Sequence, residues 1–295
     1  MTSWLVESAR KLPIVAAFDV VVAGGGIVGV AAAVAAARNG VSVCLPEKAS
    51  ALGGLATLGN VTVWLPLCDG RGRQVISGLA EEMLELAVAE LRKDNRFARF
   101  VGVPSCWRPG GDPTERKKLR YQAEFNPGSY LLALDKLVTD AGVRLFYDTR
   151  VCAVRQETDR VTHLIVEKKS GRCAIACRVV VDATGDADVC FLAGEKTESL
   201  DSNVLCGWFY YLQDNVLHLN QLSNQYSPDA GKCGSVGPFF GGDDAEQVTD
   251  HILATRELVR KQLAHLRRQH PDADIQGFAP ATIACFRMTR RLGSV

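Results

Sequence analysis

No CxxC pair occurs among the ten cysteines of this 295-residue sequence, and the closest two, Cys173 and Cys177, have three residues between them. Structural zinc and iron–sulfur clusters need closely grouped thiolates, so no metal centre is expected. Dithiol exchange chemistry is disfavoured on the same ground. The thiols read instead as small buried hydrophobes in a reducing compartment. Charge of one sign is also missing: 34 basic and 33 acidic side chains give a net charge of +1. Such a balance exerts no general pull on nucleic acid or anionic lipid. The opening residues, MTSWLVESARKLP, have a short apolar patch followed by Glu7, with no basic region ahead of it. A secretory signal is arranged otherwise, and a cytoplasmic protein is expected.

What is present is an ordinary globular composition, 47% apolar and 23% charged, in a chain long enough for one large α/β domain or two smaller ones. The informative stretch is DVVVAGGGIVGVAAAVAAARNGVSVCLPE, residues 19 to 47. It is uncharged from Val20 to Ala37, the length of a minimal membrane span. However, three consecutive glycines follow the strand-forming Val20-Val21-Val22 after a single alanine, Ala23, which suits a βαβ unit better than a spanning helix.

Gly24, Gly26 and Gly29 stand at G-x-G-x-x-G spacing. The first allows a tight turn out of the strand, the second lets the backbone approach a pyrophosphate, and the third lets the helix lie against the sheet. The N-terminus of that helix presents free N–H groups and a positive dipole end to an anion. After Asn39-Gly40, a second strand over Val41–Leu45 leads to Glu47. A carboxylate there accepts from both ribose hydroxyls of an adenosine and repels a 2′-phosphate. The spacing alone is a weak signal, since a ligand-free turn explains it equally. With strand, helix, second strand and terminal acid in order, it indicates a dinucleotide site.

This unit does not separate a nicotinamide from a flavin dinucleotide. A second glycine loop, Gly53-Gly54, follows the acid closely, and Ala183-Thr184-Gly185-Asp186 follow a strand ending at Asp182. Small residues beyond the carboxyl end of a strand stand where α/β sheets bind ligands. Between these stretches a helix is expected from Asn126 to Asp140, with Asn126 as N-cap and Pro127 at the first position. Its apolar face is Tyr130, Leu131, Leu134, Leu137 and Val138. VRLFYD reads as a strand, and VCAVRQ, VTHLIVEK and CAIACRVVVDA as a β meander.

Elsewhere, residues 77–93 form an amphipathic helix with Leu79, Met83, Leu86 and Leu91 inward, and residues 96–121 read as a basic loop. In that loop Arg108 or Arg120 is a candidate to bind an anion, against the plainer reading of a solvated loop. LCGWFYYLQ at 205–213 reads as a strand, a glycine-rich loop spans 231–242, and Asp244–Gln269 is a long helix with Val248, Ile252, Val259, Leu263 and Leu266 inward. Structural roles are expected for His163, His251, His265 and His270; His218 has no evident partner. Cys68 is a candidate to approach a cofactor, against the reading of an inert buried thiol. Arg287, Arg290 and Arg291 are the candidates to hold an anionic substrate group, against pairing with carboxylates at a domain interface. No catalytic residue is evident.

The order GGGIVG, PEKASALGG, an Asn-Pro-opened helix, GVRLFYDTRV and VVDATGDADV resembles FAD-dependent oxidoreductases of the glutathione-reductase fold type. Within that superfamily it looks most like the branch of the heterodisulfide reductase flavin subunit, and more distantly like the glucose-inhibited division protein and the fumarate reductases. The resemblance covers most of residues 15 to 195. It implies an α/β fold: a Rossmann-like FAD-binding domain (parallel sheet with β meander) at 15–195, with a helix-and-loop insertion at 76–125. An inserted, incomplete α+β substrate domain at 196–295 and an N-terminal extension at 1–14 complete the expected organisation. FAD is the implied cofactor. Gly24, Gly26, Ile27, Val28 and Gly29 are implied to cradle its pyrophosphate, and Glu47 and Lys48 to flank the adenosine ribose. Gly53 and Gly54 would run along the ribityl and flavin end, and Val151 would meet the adenine through its backbone. Ala183, Thr184 and Gly185 would pack against the adenosine half, with Asp186 nearby.

The implied activity is flavin-mediated hydride or electron transfer on a small organic molecule, with a redox partner as a further candidate and neither nucleic acid nor membrane as a partner. FRMTRRLGSV resembles the segment that, in the family, precedes a closing strand and Gly-rich helix start. Because the sequence stops at Val295, a fragment or truncated relative is expected. Two alternatives stay open: a flavin-dependent tRNA-modifying enzyme, against which the neutral charge argues, and a nucleotide-binding remnant without turnover.

Overall fold

The computed structural model describes residue 5 and residues 7–64, 67–89, 103–199, 208–221, 240–284 and 290–292. The chain opens with β1 (Ile14–Ala23), α1 (Ile27–Arg38) and β2 (Val43–Pro46). Next come a short β3 (Val63–Trp64), α2 (Leu79–Ala89), a single-turn α3 (Pro113–Arg116), a short β4 (Ala123–Glu124) and α4 (Pro127–Asp140). The strands β5 (Arg144–Phe146), β6 (Thr149–Glu157), β7 (Arg160–Lys168) and β8 (Gly171–Asp182) then follow, and after them α5 (Asp188–Leu192) and β9 (Thr197–Ser199). The remainder holds β10 (Trp208–Gln213), β11 (Val216–Gln221), α6 (Ala245–Gln269), β12 (Ile275–Pro280) and β13 (Arg290–Leu292).

Six strands form the main sheet in the order β5-β2-β1-β8-β7-β6. The pairs β1–β2, β2–β5 and β1–β8 are parallel, whereas β7 pairs antiparallel with both β6 and β8. The α/β class with an attached meander is thus as expected. The end of β1, Val21–Ala23, is apolar and fully buried because both faces of the sheet are covered there. Val22 points into one core with Val30, Ala33 and Val34 of α1 and Tyr130, Leu134 and Val138 of α4. Its neighbours Val21 and Ala23 point the other way, into a core completed by Leu164, Val166, Cys173 and Ile175 of the meander.

The helix expected from Asn126 forms with that residue as its cap: the Asn126 side chain accepts from the N–H of Gly128 and Ser129 at 2.9 and 3.2 Å. Tyr130, Leu134, Leu137 and Val138 are buried, while Leu131 is half-buried. In α2 the buried residues are Met83, Leu84, Ala87 and Val88. The expected Leu79 and Leu86 only flank the core, and Leu91 lies outside the described residues. The reason is that α2 has two buried faces. Met83 and Ala87 join the main core, and Leu84 and Val88 join a separate one with Leu67, Cys68, Val103, Cys106, Trp107, Tyr121 and Ala123.

That second core organises the described part of the segment expected to be a plain loop. Arg108 Nε donates to the Val103 carbonyl at 3.0 Å, and the Arg116 guanidinium lies 5.6 Å from the Trp107 ring centroid. Arg108 is therefore engaged within the loop, and Arg120 is exposed. Cys68 is buried in this core and does not line the cavity described below.

In the C-terminal third, β11-β10-β12 form an antiparallel sheet with α6 across one face, joined through Phe209, Tyr211, Val259, Leu266 and Ile275. The long helix has its expected bounds, with Asp244 capping Gln247 N–H at 2.8 Å. Its buried face includes His251, stacked on Phe240 at 5.4 Å, and Thr255, neither on the expected apolar stripe. The expected glycine-rich loop lies almost wholly outside the described residues. The other side of this small sheet rests on the main body: Trp208, Leu219 and Ala281 pack with Val61 and Val63, and the hydroxyls of Thr62 and Tyr210 are 2.7 Å apart. No helix among the described residues is long and apolar enough to cross a membrane, and α1, the core of the uncharged stretch, has only 12 residues.

Candidate cofactor site

Strand β1 delivers its glycine-rich turn to the carboxyl edge of the sheet, beside the residues that follow β8. Gly24 has φ +102°, and a Cβ on it would meet the Ala183 carbonyl oxygen at 2.5 Å. Only glycine both adopts that backbone and clears its neighbour. Gly29 is constrained by packing alone, since a Cβ there would lie 1.8 Å from the Gly24 carbonyl oxygen. Gly26 is different: nothing stands within 4 Å of its Cβ position, which opens into a cavity.

The cavity measures about 470 Å³, within the range of small-molecule sites. Thirteen residues singled out from the sequence meet on its wall: Gly24, Gly26, Ile27, Val28, Glu47, Lys48, Gly53, Gly54, Val151, Ala183, Thr184, Gly185 and Asp186. Gly29 does not reach it and acts behind the wall, by permitting the turn. The cavity's remaining lining includes Arg150, Asp182, Asp188, Leu55, Leu58, Ile283 and Ala284, none of which carried a spacing signal strong enough to be assigned there.

At one end the first turn of α1 faces the cavity. The helix ladder begins with the Val30 N–H donating to the Gly26 carbonyl, so the N–H groups ahead of it are available to a ligand. No acidic residue stands in that first turn and no side chain caps it, leaving the positive end of the helix dipole uncompensated. Glu47 is buried beside it. Its Oε2 accepts the Gly25 N–H at 2.6 Å and its Oε1 accepts the Ala49 N–H at 2.7 Å. The carboxylate is thus oriented by two backbone amides, and each oxygen keeps a lone pair for a hydroxyl group. This work for Gly25 had no counterpart in the motif reading.

The second glycine loop is clipped onto the first: the Gly53 N–H donates to the Gly25 carbonyl at 2.8 Å, and Gly26 and Gly53 form a parallel bridge. The DATGD turn is held by Asp182, which accepts the Thr184 N–H at 3.1 Å, the Thr184 hydroxyl at 2.7 Å and the Cys190 N–H at 3.0 Å. At the far end, the chain returning from β12 reaches the wall at Ile283 and Ala284, held by the Thr282 N–H on the Leu58 carbonyl at 2.8 Å.

A long anionic dinucleotide fits this arrangement. The helix end and Gly26 offer contact to a pyrophosphate, the oriented carboxylate suits a ribose, and the clipped second loop lengthens the site beyond one nucleotide. Other sequence candidates stand elsewhere. Arg290 pairs with the Asp188 carboxylate at 2.6 Å, and its side chain is 10% exposed. Arg291 holds the strand position opposite Glu198, and Arg287 lies outside the described residues. His163 Nδ1 is 3.0 Å from the Thr162 hydroxyl, and His218 stacks on Tyr211 at 5.0 Å. Among the described residues no group of three or more potential ligands is placed to hold a metal ion.

The profile of the FAD dependent oxidoreductase family matches residues 19–203, more than half of the chain. No curated protein matches it in sequence. Among solved structures, it is similar to a geranylgeranyl bacteriochlorophyll reductase-like protein from Thermoplasma acidophilum, at 17% identity and a TM-score of 0.43, over 67% of this chain and 47% of that one. A 3-ketosteroid-Δ4-(5α)-dehydrogenase from Rhodococcus jostii RHA1 is similar at 21% identity and a TM-score of 0.37, over 58% and 48% of the two chains. THI4 from Thermovibrio ammonificans is similar at 19% identity and a TM-score of 0.42, over 64% and 67%. The chain spans about half the length of the first two of these proteins.

Proposed function

The chain belongs to the FAD-dependent oxidoreductase family, and from that premise we propose that it carries out flavin-mediated hydride or electron transfer on a small organic substrate. FAD is the family's cofactor, and the ring system supplies the redox chemistry when bound. What supports the placement is one observation: three glycine loops distant in sequence converge, with Glu47, on a single cavity. In this reading Gly24, Gly26, Ile27 and Val28 take the pyrophosphate, with Gly29 behind them, and Glu47 and Lys48 the ribose. Val151 meets the adenine, Ala183, Thr184, Gly185 and Asp186 flank the adenosine half, and Gly53 and Gly54 run toward the flavin. Residues 15–195 then form the cofactor domain and 196–295 part of a substrate domain, whose small sheet rests against Val61 and Val63. Arg287 and Arg291 are proposed for an anionic substrate group, while Arg290 is already engaged. The nearer kinship with the heterodisulfide reductase flavin subunit is likewise proposed from the motifs.

Purified full-length chain is expected to be yellow, or to become so on reconstitution, and to release FAD on denaturation. A colourless protein that FAD cannot reconstitute would refute the reading. Bleaching of the flavin absorbance in an anaerobic substrate screen then identifies the reductant.

A further inference from the structure

Among the described residues that line the cavity, acids outnumber bases: Glu47, Asp182, Asp186 and Asp188 stand against Lys48 and Arg150. An anionic pyrophosphate is repelled by such a wall unless its carboxylates are compensated. Glu47 and Asp182 are occupied by backbone amides and the Thr184 hydroxyl. The compensation of Asp188 comes from a residue 102 positions further along the chain.

Arg290, on β13, donates from Nη1 to Asp188 Oδ1 at 2.6 Å and lies 3.4 Å from the Asp186 carbonyl oxygen. Its Nε is 3.7 Å from Asp243 Oδ2, and its guanidinium lies 4.1 Å from the Phe191 ring centroid. Two carboxylates, a carbonyl and an aromatic face thus fix a planar fork that is nearly removed from water, an arrangement lysine does not reproduce. The wall it grips needs holding. Ala187, between Asp186 and Asp188, has φ +52°, a conformation that is unfavourable for alanine and persists only where the surroundings enforce it.

We propose that Arg290 is a positioning residue for FAD: it cancels the charge of Asp188 and holds the Asp186–Asp188 segment of the wall, so that the β9–β13 strand pair completes the site. The proposal rests on FAD occupying this cavity. It also separates Arg290 from Arg287 and Arg291, the other arginines of the same segment, because the engaged guanidinium contributes to cofactor affinity and not to substrate capture.

The test is FAD titration, by quenching of flavin fluorescence, of the apo form of the full chain and of R290M, D188N and R290M/D188N, at low and high salt. Thermal unfolding without FAD is measured alongside. R290M is expected to bind FAD about tenfold more weakly at low salt, as one uncompensated charge beside an anion requires, and less so at high salt. D188N in the R290M background is expected to recover most of that loss. A double variant as weak as R290M, with no salt dependence, leaves Arg290 only the holding of the segment and overturns the charge compensation that the proposal requires. So does R290M binding as tightly as wild type. If R290M does not fold, D188N alone decides: affinity equal to or above wild type supports charge compensation, and a loss overturns it. A wild-type chain that takes up no FAD overturns the cofactor placement itself, an outcome distinct from any behaviour of the variants.

Discussion

Gly26→Val separates the cofactor site from the fold more sharply than any other single change. Gly26 has φ −65° and ψ 176°, an extended backbone that valine adopts without strain, and nothing stands within 4 Å of its Cβ position. The side chain therefore enters the cavity and leaves the core intact. Replacing an N-cap glycine by valine costs up to about 1 kcal/mol of stability. For a chain of this size that lowers the unfolding midpoint by roughly 2–4 °C. The cost to binding is larger. The branched side chain stands between the pyrophosphate and the first-turn N–H groups of α1, and two charge-assisted hydrogen bonds at about 1.5–3 kcal/mol each are lost. Together they amount to about 3–6 kcal/mol, or a 10²- to 10⁴-fold rise in the Kd for FAD.

The assay is FAD titration of apo protein, with far-UV circular dichroism and thermal melts of the same samples. The control is Gly29→Ala, only three residues away. Its Cβ would stand 1.8 Å from the Gly24 carbonyl oxygen, where ordinary contact begins at 3.4 Å. That variant is expected to lose about 2–4 kcal/mol of stability whether or not FAD is present, or not to fold. Gly26→Val retaining wild-type FAD affinity refutes the placement of the pyrophosphate. Gly26→Val and Gly29→Ala destabilising equally refutes the division of labour between the two glycines.

Three further outcomes are expected. Asn126→Ala removes the acceptor for two N–H groups of α4 and lowers stability by about 1 kcal/mol with FAD affinity unchanged, readable from urea midpoints with and without cofactor. Glu47→Ala lowers FAD affinity and apo stability together, because the same carboxylate holds the Gly25 and Ala49 amides; a loss confined to affinity shows those two bonds to be dispensable. Burial pushes the Cys44 thiol from its ordinary value of 9.0 up to about 12, only partly offset by Arg144 and Lys168. The unfolded chain ionises this thiol first, so its contribution is whole below about pH 9 and is lost as pH rises toward 12, at up to about 1.4 kcal/mol per pH unit. Cys44→Ala should flatten the alkaline fall in stability over that window, and an unchanged slope in urea melts counts against the assignment.

Much of the fold was legible because its signals are local. A β run, glycines at fixed spacing and an alanine-rich helix read as a βαβ unit from residues no more than 30 apart. The Asn-Pro start of α4 and the alternation of the meander are equally short-range. The faces of α2 and α6 were legible only in part. A single apolar stripe marks one buried face, whereas α2 serves two cores and α6 also buries His251 against Phe240.

By itself, then, the sequence determined which turns are tight, where helices start, and that a carboxylate ends the second strand, since backbone sterics and capping act over a few residues. Tertiary structure alone decided what those pieces do together. It placed the second glycine loop on the first through Gly53 and Gly25, and gave the Glu47 carboxylate two amides to orient it. It also brought Tyr210 to Thr62 across 148 residues, and Arg290 to Asp188 across 102. Such contacts depend on how sheets and helices close upon one another, and no periodicity in the chain encodes a partner at that distance.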